Sequence, residues 1–432
     1  MARRNMISEK ILASACEALT AWEDGATLDD CLDALEEVDQ KEGYNGRAIK
    51  PAVSSLLFEY FRHKGFVDLL IRRFARKGDV HKEVRIILQC AITQMLYQTG
   101  IAAESAVNVA VDHTKNKLGR ARSSFINALL RAVSASPDKG NSRNEIFPDV
   151  LYKKYLADHG EEKTKEILAN FASNPLPCFR MREELEKEVL DGYGASLIPP
   201  FPDEEELVLP FPFYEFSNAK EFFASRIQDS GKVYVQDPAT ALSVSLAKSA
   251  FPEGIITGKV LDCCAAPGGK TLMLADLTTD KGAKIIAADR SKQRCALMNI
   301  NFKRAGIRST VKHLSAQESY FPAESFSLIL ADVPCSNTGV IRRRPDAPWR
   351  FSEKRLQELL GLQKEILHCL APLVQKGGFL LYSTCSIEKE EDMEQIKNFL
   401  AEHKDFTLVT EKLLFPARYH DGAYAALLKR NA

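Results

Sequence analysis

At 432 residues the chain exceeds what one ordinary hydrophobic core supports, so about two or three domains are expected. A content of 45% hydrophobic and 27% charged residues excludes a disordered or fibrous protein. The 58 Lys and Arg balance 58 Asp and Glu, so any nucleic-acid contact must rest on local patches and not on the field of the whole molecule.

From Met6 to about Ser134 apolar residues recur at helical spacing, with Ile11, Ala15 and Leu19 on one face, then Val53, Leu57 and Tyr60, then Leu88, Ile92 and Leu96. No strand-like alternation interrupts them, and Gly46, Gly65, Gly78, Gly100 and Gly119 stand where the pattern breaks. Residues 1–136 are therefore predicted to form an all-helical domain of several short helices. The turn-forming run Ser136-Pro137-Asp138-Lys139-Gly140-Asn141-Ser142, with Pro148 soon after, reads as a linker. A helix is expected from Val150 to Phe171. Beyond Asn174-Pro175-Leu176-Pro177, the prolines at 199, 200, 202, 210 and 212 argue against long regular elements, so residues 150–235 are read as a connector subdomain.

Residues 236–432 change to β-α alternation. Strands are expected at Lys259–Cys263, Lys284–Asp289, Thr310–Leu314, Ser327–Asp332 and Gly378–Thr384, with helices between them, notably Lys270–Leu277 and Ser352–Leu370. A doubly wound, Rossmann-like sheet follows, and its ligands bind outside the carboxyl ends of the strands. No apolar run reaches the roughly 18 residues of a membrane-spanning helix. The start Met-Ala-Arg-Arg-Asn-Met lacks the apolar stretch of a secretory signal, so a cytoplasmic location without membrane contact is expected.

The first of these strands runs into Asp262-Cys263-Cys264-Ala265-Ala266-Pro267-Gly268-Gly269-Lys270-Thr271. Gly268 and Gly269 permit close approach of a ligand, and the following helix directs its amides into the turn. A P-loop would need glycine at 264, where Cys stands, and no GxGxxG is present, so neither nucleotide hydrolysis nor hydride transfer is favoured. Asp289, 20 residues beyond Gly269 at the next strand end, suits ribose hydroxyls, which points to a nucleoside ligand. Two more strand ends carry Asp332-Val333-Pro334-Cys335-Ser336-Asn337-Thr338-Gly339 and Ser383-Thr384-Cys385-Ser386. Each sets a cysteine on the ligand-binding edge of the sheet. The ten cysteines show no CxxC pair and no zinc spacing, so reduced thiols are expected, with neither a disulfide framework nor a metal site. Cys263, Cys295 and Cys369 fall within strand or helix patterns and read as packing residues.

In that order, the Cys264–Lys270 turn, the Asp332–Ser336 turn and the Tyr382–Ser386 turn resemble the signatures of the Nol/Nop/Sun RNA cytosine-5 methyltransferases. The helical half, including Phe125-Ile126-Asn127-Ala128-Leu129-Leu130-Arg131, resembles the NusB-like RNA-binding domain. Nearly the whole chain is thus similar to the bacterial Sun-type members that act on 16S ribosomal RNA. The resemblance implies S-adenosyl-L-methionine as methyl donor, held by Cys264, Ala265, Ala266, Pro267, Gly268, Gly269, Lys270 and Asp289. It also implies Cys385 as the thiol that attacks C6 of the cytosine, Cys335 as the thiol that assists release, and Asp332 beside the cofactor or the base. The implied partner is 16S ribosomal RNA or an assembling small subunit, met by a monomer. The chain departs from the family pattern at Ser315, where an acidic residue for the adenine is usual, at Asn337, where a smaller residue is usual, and at Ala423, usually aromatic.

Arg342, Arg343, Arg344 and Arg350 with Trp349 follow the Pro-Cys-Ser turn and are expected to meet RNA beside the base pocket. Arg72, Arg73, Arg76, Lys77, Lys82 and Arg85 are candidates for phosphate contacts, with a merely solvated face as the alternative. Other functions remain open. They are an antiterminator-like RNA platform, which would not need both cysteines, a cytosine-5 enzyme acting on transfer RNA, and an exocyclic-nitrogen methyltransferase, which would favour a polar motif such as Asn-Pro-Pro-Tyr over Pro334-Cys335.

Overall fold

The structure, a computed structural model, describes residues 2–42, 49–75, 80–136, 147–199, 209–282, 284–318 and 321–432, with side chains for all of these except 2–6 and 36–42. Gly46, Arg76, Lys77, Gly78, the Pro137–Ser142 part of the expected linker, Pro200 and Pro202 lie outside the described residues. The chain divides into two compact units, one of residues 1–154 with Arg344–Arg350, the other of Tyr155–Arg343 with Phe351–Ala432.

The first unit is helical: α1 (Ala2–Glu23), α2 (Leu28–Glu42), α3 (Lys50–Phe74), α4 (Lys82–Tyr97), α5 (Ala103–Leu118) and α6 (Arg120–Ser134). Leu12, Ala15 and Leu19, Val53, Leu57 and Tyr60, Leu88 and Ile92, and Ile126 and Leu130 recur at three- and four-residue spacing and fill one core. Gly100 and Gly119 separate helices as expected, but Gly65 does not. It lies inside the 25-residue α3, whose buried face from Val53 to Ile71 outweighs the roughly 1 kcal/mol that an internal glycine costs. The segment Arg344–Arg350 packs with these helices: the Trp349 indole leans on the core and its Nε1 donates to Phe61 O at 2.9 Å.

Helix α7 (Asp149–Phe171), which belongs to the second unit from Tyr155 on, follows the expected helix and is broken at Gly160, where φ is +77°. Four short strands, β1 (Cys178–Met181), β2 (Ala195–Leu197), β3 (Phe213–Phe216) and β4 (Val233–Val235), then form an antiparallel sheet in the order β2-β3-β1-β4. Phe179, Phe216 and Phe222 stack beneath it as a small aromatic core of their own.

The main sheet has the order β10-β11-β9-β8-β5-β6-β7. Its strands are β5 (Val260–Asp262), β6 (Ile285–Asp289), β7 (Thr310–His313), β8 (Phe326–Asp332), β9 (Val374–Thr384), β10 (Phe406–Leu414) and β11 (Ala423–Arg430). Pairs β5–β6, β6–β7, β5–β8 and β8–β9 are parallel, and β11 runs antiparallel to both β9 and β10. Unbroken apolar runs such as Leu328-Ile329-Leu330-Ala331 are fully buried, as strands covered on both faces require. Helices Gly269–Asp276, Lys292–Ala305, Glu353–Leu370 and Met393–Glu402 connect the strands. Ser291 and Ser352 start two of them by accepting the N–H groups of Arg294 and Arg355. From β5 the chain moves to β6 and β7 on one side and returns to β8 on the other. The strand order therefore reverses beside β5, and the crevice beyond the carboxyl ends of β5 and β8 is where this architecture binds ligands. Among the described residues no helix is long and apolar enough to cross a membrane.

Candidate active site

The turn after β5 is held by Ala265 N–H to Ala288 O at 3.0 Å, Gly268 N–H to Ala265 O at 2.7 Å, and Asn301 Nδ2 to Pro267 O at 2.9 Å. Gly268 has φ +101°, and an added Cβ would stand 2.6 Å from the Phe302 ring. Glycine is therefore required at 268 by backbone conformation and by a neighbouring side chain, before any ligand is considered.

Three carboxylates end three adjacent strands around this turn. Asp289 accepts Ala266 N–H at 3.3 Å and Ser291 N–H at 2.8 Å. Asp332 is paired with Lys270, whose Nζ also reaches Ser383 Oγ at 3.4 Å. Asp262 is completely buried; its Oδ2 accepts from Thr271 Oγ1 at 2.6 Å, while its Oδ1 meets no donor. Burial pushes the Asp262 carboxyl up to about 7, the Thr271 hydrogen bond opposing the rise and the Asp332 charge adding to it. Ser315 shapes the loop after β7, its Oγ accepting Gln317 N–H at 3.3 Å.

The two cysteines on the turns after β8 and β9 come together: Cys335 Sγ and Cys385 Sγ are 3.1 Å apart, both half-buried. Asn337, at φ +62°, spans them, donating from Nδ2 to Cys335 O at 3.1 Å and accepting at Oδ1 from Cys385 Sγ at 3.0 Å. The hydrogen bond with Cys385, burial and the nearby charge of Glu391 all hold the Cys335 thiol well above the usual range.

Glu391, unremarked in the sequence, fastens the two turns to each other. Fully buried, it accepts Ser336 N–H and Gln363 Nε2 at Oε1, both at 2.9 Å, and at Oε2 the hydroxyls of Ser336 and, at 2.6 Å, Ser386. Gln363 also donates to Pro334 O at 3.0 Å. A third segment joins through Gly339, whose N–H donates to Cys385 O at 2.9 Å and whose carbonyl accepts Gly422 N–H at 2.8 Å. A Cβ at Gly339 would fall 2.8 Å from the carbonyl oxygens of both Cys385 and Gly422, so only glycine lets the three backbones meet.

The arginine run is held by carboxylates and carbonyls of the protein. Arg342, 2% exposed, pairs with Asp421 at 2.9 Å, and Arg343 bridges Asp421 at 2.7 Å and Asp237 at 2.8 Å, which fixes the chain before β11. Arg344 pairs with Asp29, Arg350 donates to Ala26 O at 3.0 Å, and Trp349 is committed to Phe61. These are contacts within the protein, and the Arg343 and Arg344 side chains also keep 34% and 40% of their surface exposed. In the helical unit Lys82 and Arg85 pair with Asp24 and Glu23, and Arg72 and Arg73 are exposed.

Sheet order, turn and strand-end carboxylates define a Rossmann-like methyltransferase fold. Residues 256–426 match the family model of the 16S rRNA methyltransferase RsmB/F, and residues 9–135 match the NusB family. Similar curated proteins include the probable ribosomal RNA small subunit methyltransferase B of Synechocystis, 28% identical over 410 residues, covering 86% of this chain and 88% of that one. That of Bacillus subtilis is 28% identical over 424 residues, covering 88% and 89%. Among solved structures, PH0851 superposes with a TM-score of 0.76 at 24% identity over 98% of this chain and 99% of its own, a likeness of fold. Over residues 256–426 the chain is similar to the RsmB/F methyltransferases and over residues 9–135 to the NusB family, and it is an RNA methyltransferase.

Proposed function

We propose that the protein methylates C5 of a cytosine in 16S ribosomal RNA, free or in an assembling small subunit, with S-adenosyl-L-methionine as donor and Cys385 as covalent nucleophile. The observation that carries this reading is the pair of thiols 3.1 Å apart on strand ends beside the glycine turn. Cytosine C5 is a weak nucleophile. When the Cys385 sulfur adds to C6, the electrons of the C5–C6 double bond become available at C5. S-adenosyl-L-methionine, when bound, supplies an electrophilic methyl group. After loss of the C5 proton, the S–C6 bond breaks and its electrons return to the Cys385 sulfur. Cys335, held as a thiol against that sulfur, assists this departure.

The turn residues Cys264–Lys270 with Asp289, Asp332 and Ser315 would hold the cofactor. Two features fit it: the buried Oδ1 of Asp262 lacks a donor, and the carboxylates of Asp262, Asp289 and Asp332 end three adjacent strands at the turn with Lys270 paired to Asp332, which suits a ligand bearing a sulfonium and an ammonium group. The 16S assignment is supported by the names of the matched family and relatives. Incubating the protein and cofactor with 16S RNA containing 5-fluorocytosine should give a denaturation-resistant adduct at Cys385, because fluorine cannot leave as a proton does. Absence of any adduct on RNA that bisulfite mapping shows to be a substrate would refute the covalent route.

A further inference from the structure

We propose that Asn337 is a positioning residue that sets the direction of hydrogen bonding in the cysteine pair, making Cys335 the donor and Cys385 the acceptor. A thiol has one proton. That of Cys385 is given to Asn337 Oδ1, 3.0 Å away, so the proton in the 3.1 Å sulfur–sulfur contact must come from Cys335. The Asn337 amide cannot easily reverse, because its Nδ2 is engaged by the Cys335 carbonyl at 3.1 Å. One side chain therefore reads both turns and makes two chemically identical groups inequivalent. Its backbone, at φ +62°, lies in the left-handed region that asparagine tolerates better than most residues, which keeps the side chain over the pair. The amide touches no reacting atom of a substrate; it acts through the sulfur of Cys385. The consequence for catalysis rests on the proposed cytosine-5 reading, whereas the inequivalence of the two thiols does not.

The test uses the full-length protein and Asn337→Gly, which suits the left-handed backbone and removes only the amide. Limited iodoacetamide labelling, read by peptide mass spectrometry, gives the ratio of Cys385 to Cys335 alkylation without any RNA. The parent should label Cys385 preferentially, and the variant should bring the ratio towards one. In methylation assays kcat should fall about tenfold with KM for RNA and cofactor unchanged, the pattern of a displaced nucleophile. Asn337→Asp would set an oxygen against the Cys335 carbonyl and a negative charge beside Cys385, so it should depress Cys385 labelling below the parent. A urea midpoint near the parent's in Asn337→Gly separates loss of the contact from damage to the turn. An unchanged ratio in folded Asn337→Gly overturns the inference, as does a raised KM at constant kcat, which would make Asn337 a substrate contact. A parent that methylates no cytosine in 16S RNA would defeat the proposed function while leaving the labelling ratio to judge Asn337.

Discussion

The completely buried carboxyl of Asp262 gives the most quantitative expectation. Its folded-state value is raised from 3.8 to about 7 by burial, so the folded protein retains a proton that the unfolded chain releases. Between those two values stability therefore falls as pH rises, by about 1.4 kcal/mol per unit, and the loss levels off above pH 7. The total is on the order of 4 kcal/mol for the cofactor-free protein. Asp262→Asn replaces the titrating group by a neutral one of the same shape that can still accept from Thr271. Relative to the parent, the variant should gain stability by roughly 3 kcal/mol on going from pH 5 to pH 8. Urea unfolding at a series of pH values measures this directly. The same substitution should weaken S-adenosyl-L-methionine binding, and cofactor affinity should rise through pH 7 in the parent but stay flat in the variant. Calorimetry in buffers of differing ionisation enthalpy would register the released proton. A stability gap between parent and variant that does not change from pH 5 to pH 8 would refute the reasoning, since Asp262 would then not carry an uncompensated charge.

Other expectations follow from the same geometry. Cys385→Ala should abolish methylation without trapping RNA, whereas Cys335→Ala should accumulate a protein–RNA adduct on denaturing gels; the opposite pattern would exchange the two roles. Gly268→Val should lose cofactor binding together with about 2–4 kcal/mol of stability, because a side chain there meets Phe302 from a left-handed backbone; thermal unfolding separates this from a purely ligand-facing glycine. Glu391→Gln turns one acceptor of the network into a donor facing donors, and should cost about 1–3 kcal/mol in urea unfolding while lowering kcat more than it raises KM.

Legibility of the sequence followed the range of the interaction. Strands β5, β6 and β8 were readable because apolar runs fully buried in a parallel sheet leave a local signature, and the glycine turn lies next to the helix it starts. Gly65 misled because its cost in α3 is outweighed by contacts distant in sequence. Helix α3 is for that reason one long element where shorter ones were expected. The antiparallel β10–β11 hairpin was missed since its apolar residues also suit other elements, and only pairing with β9 makes them an edge. The prolines argued against long elements, and among the described residues between 178 and 235 the strands have only three or four residues, yet they form a sheet around the buried aromatics of β1 and β3.

The site divides in the same way. Cys335 and Cys385 were found from their places at strand ends, since parallel neighbours in a doubly wound sheet bring their following turns to one crevice. Nothing local marked Glu391, which stands in the run Glu388-Lys389-Glu390-Glu391-Asp392 and looks like part of a solvated acidic face. Its burial follows from the four donors that converge on it, and these are contributed by residues 336, 363 and 386. The arginines from 342 to 344 show the converse. In sequence the cationic run looks suited to phosphate, whereas its ion pairs are made with Asp421, Asp237 and Asp29, far away in sequence and not to be read from it. Above about pH 7, where Asp262 ionises, the charge at the glycine turn that meets no donor is negative, and the proposed sulfonium donor would balance it.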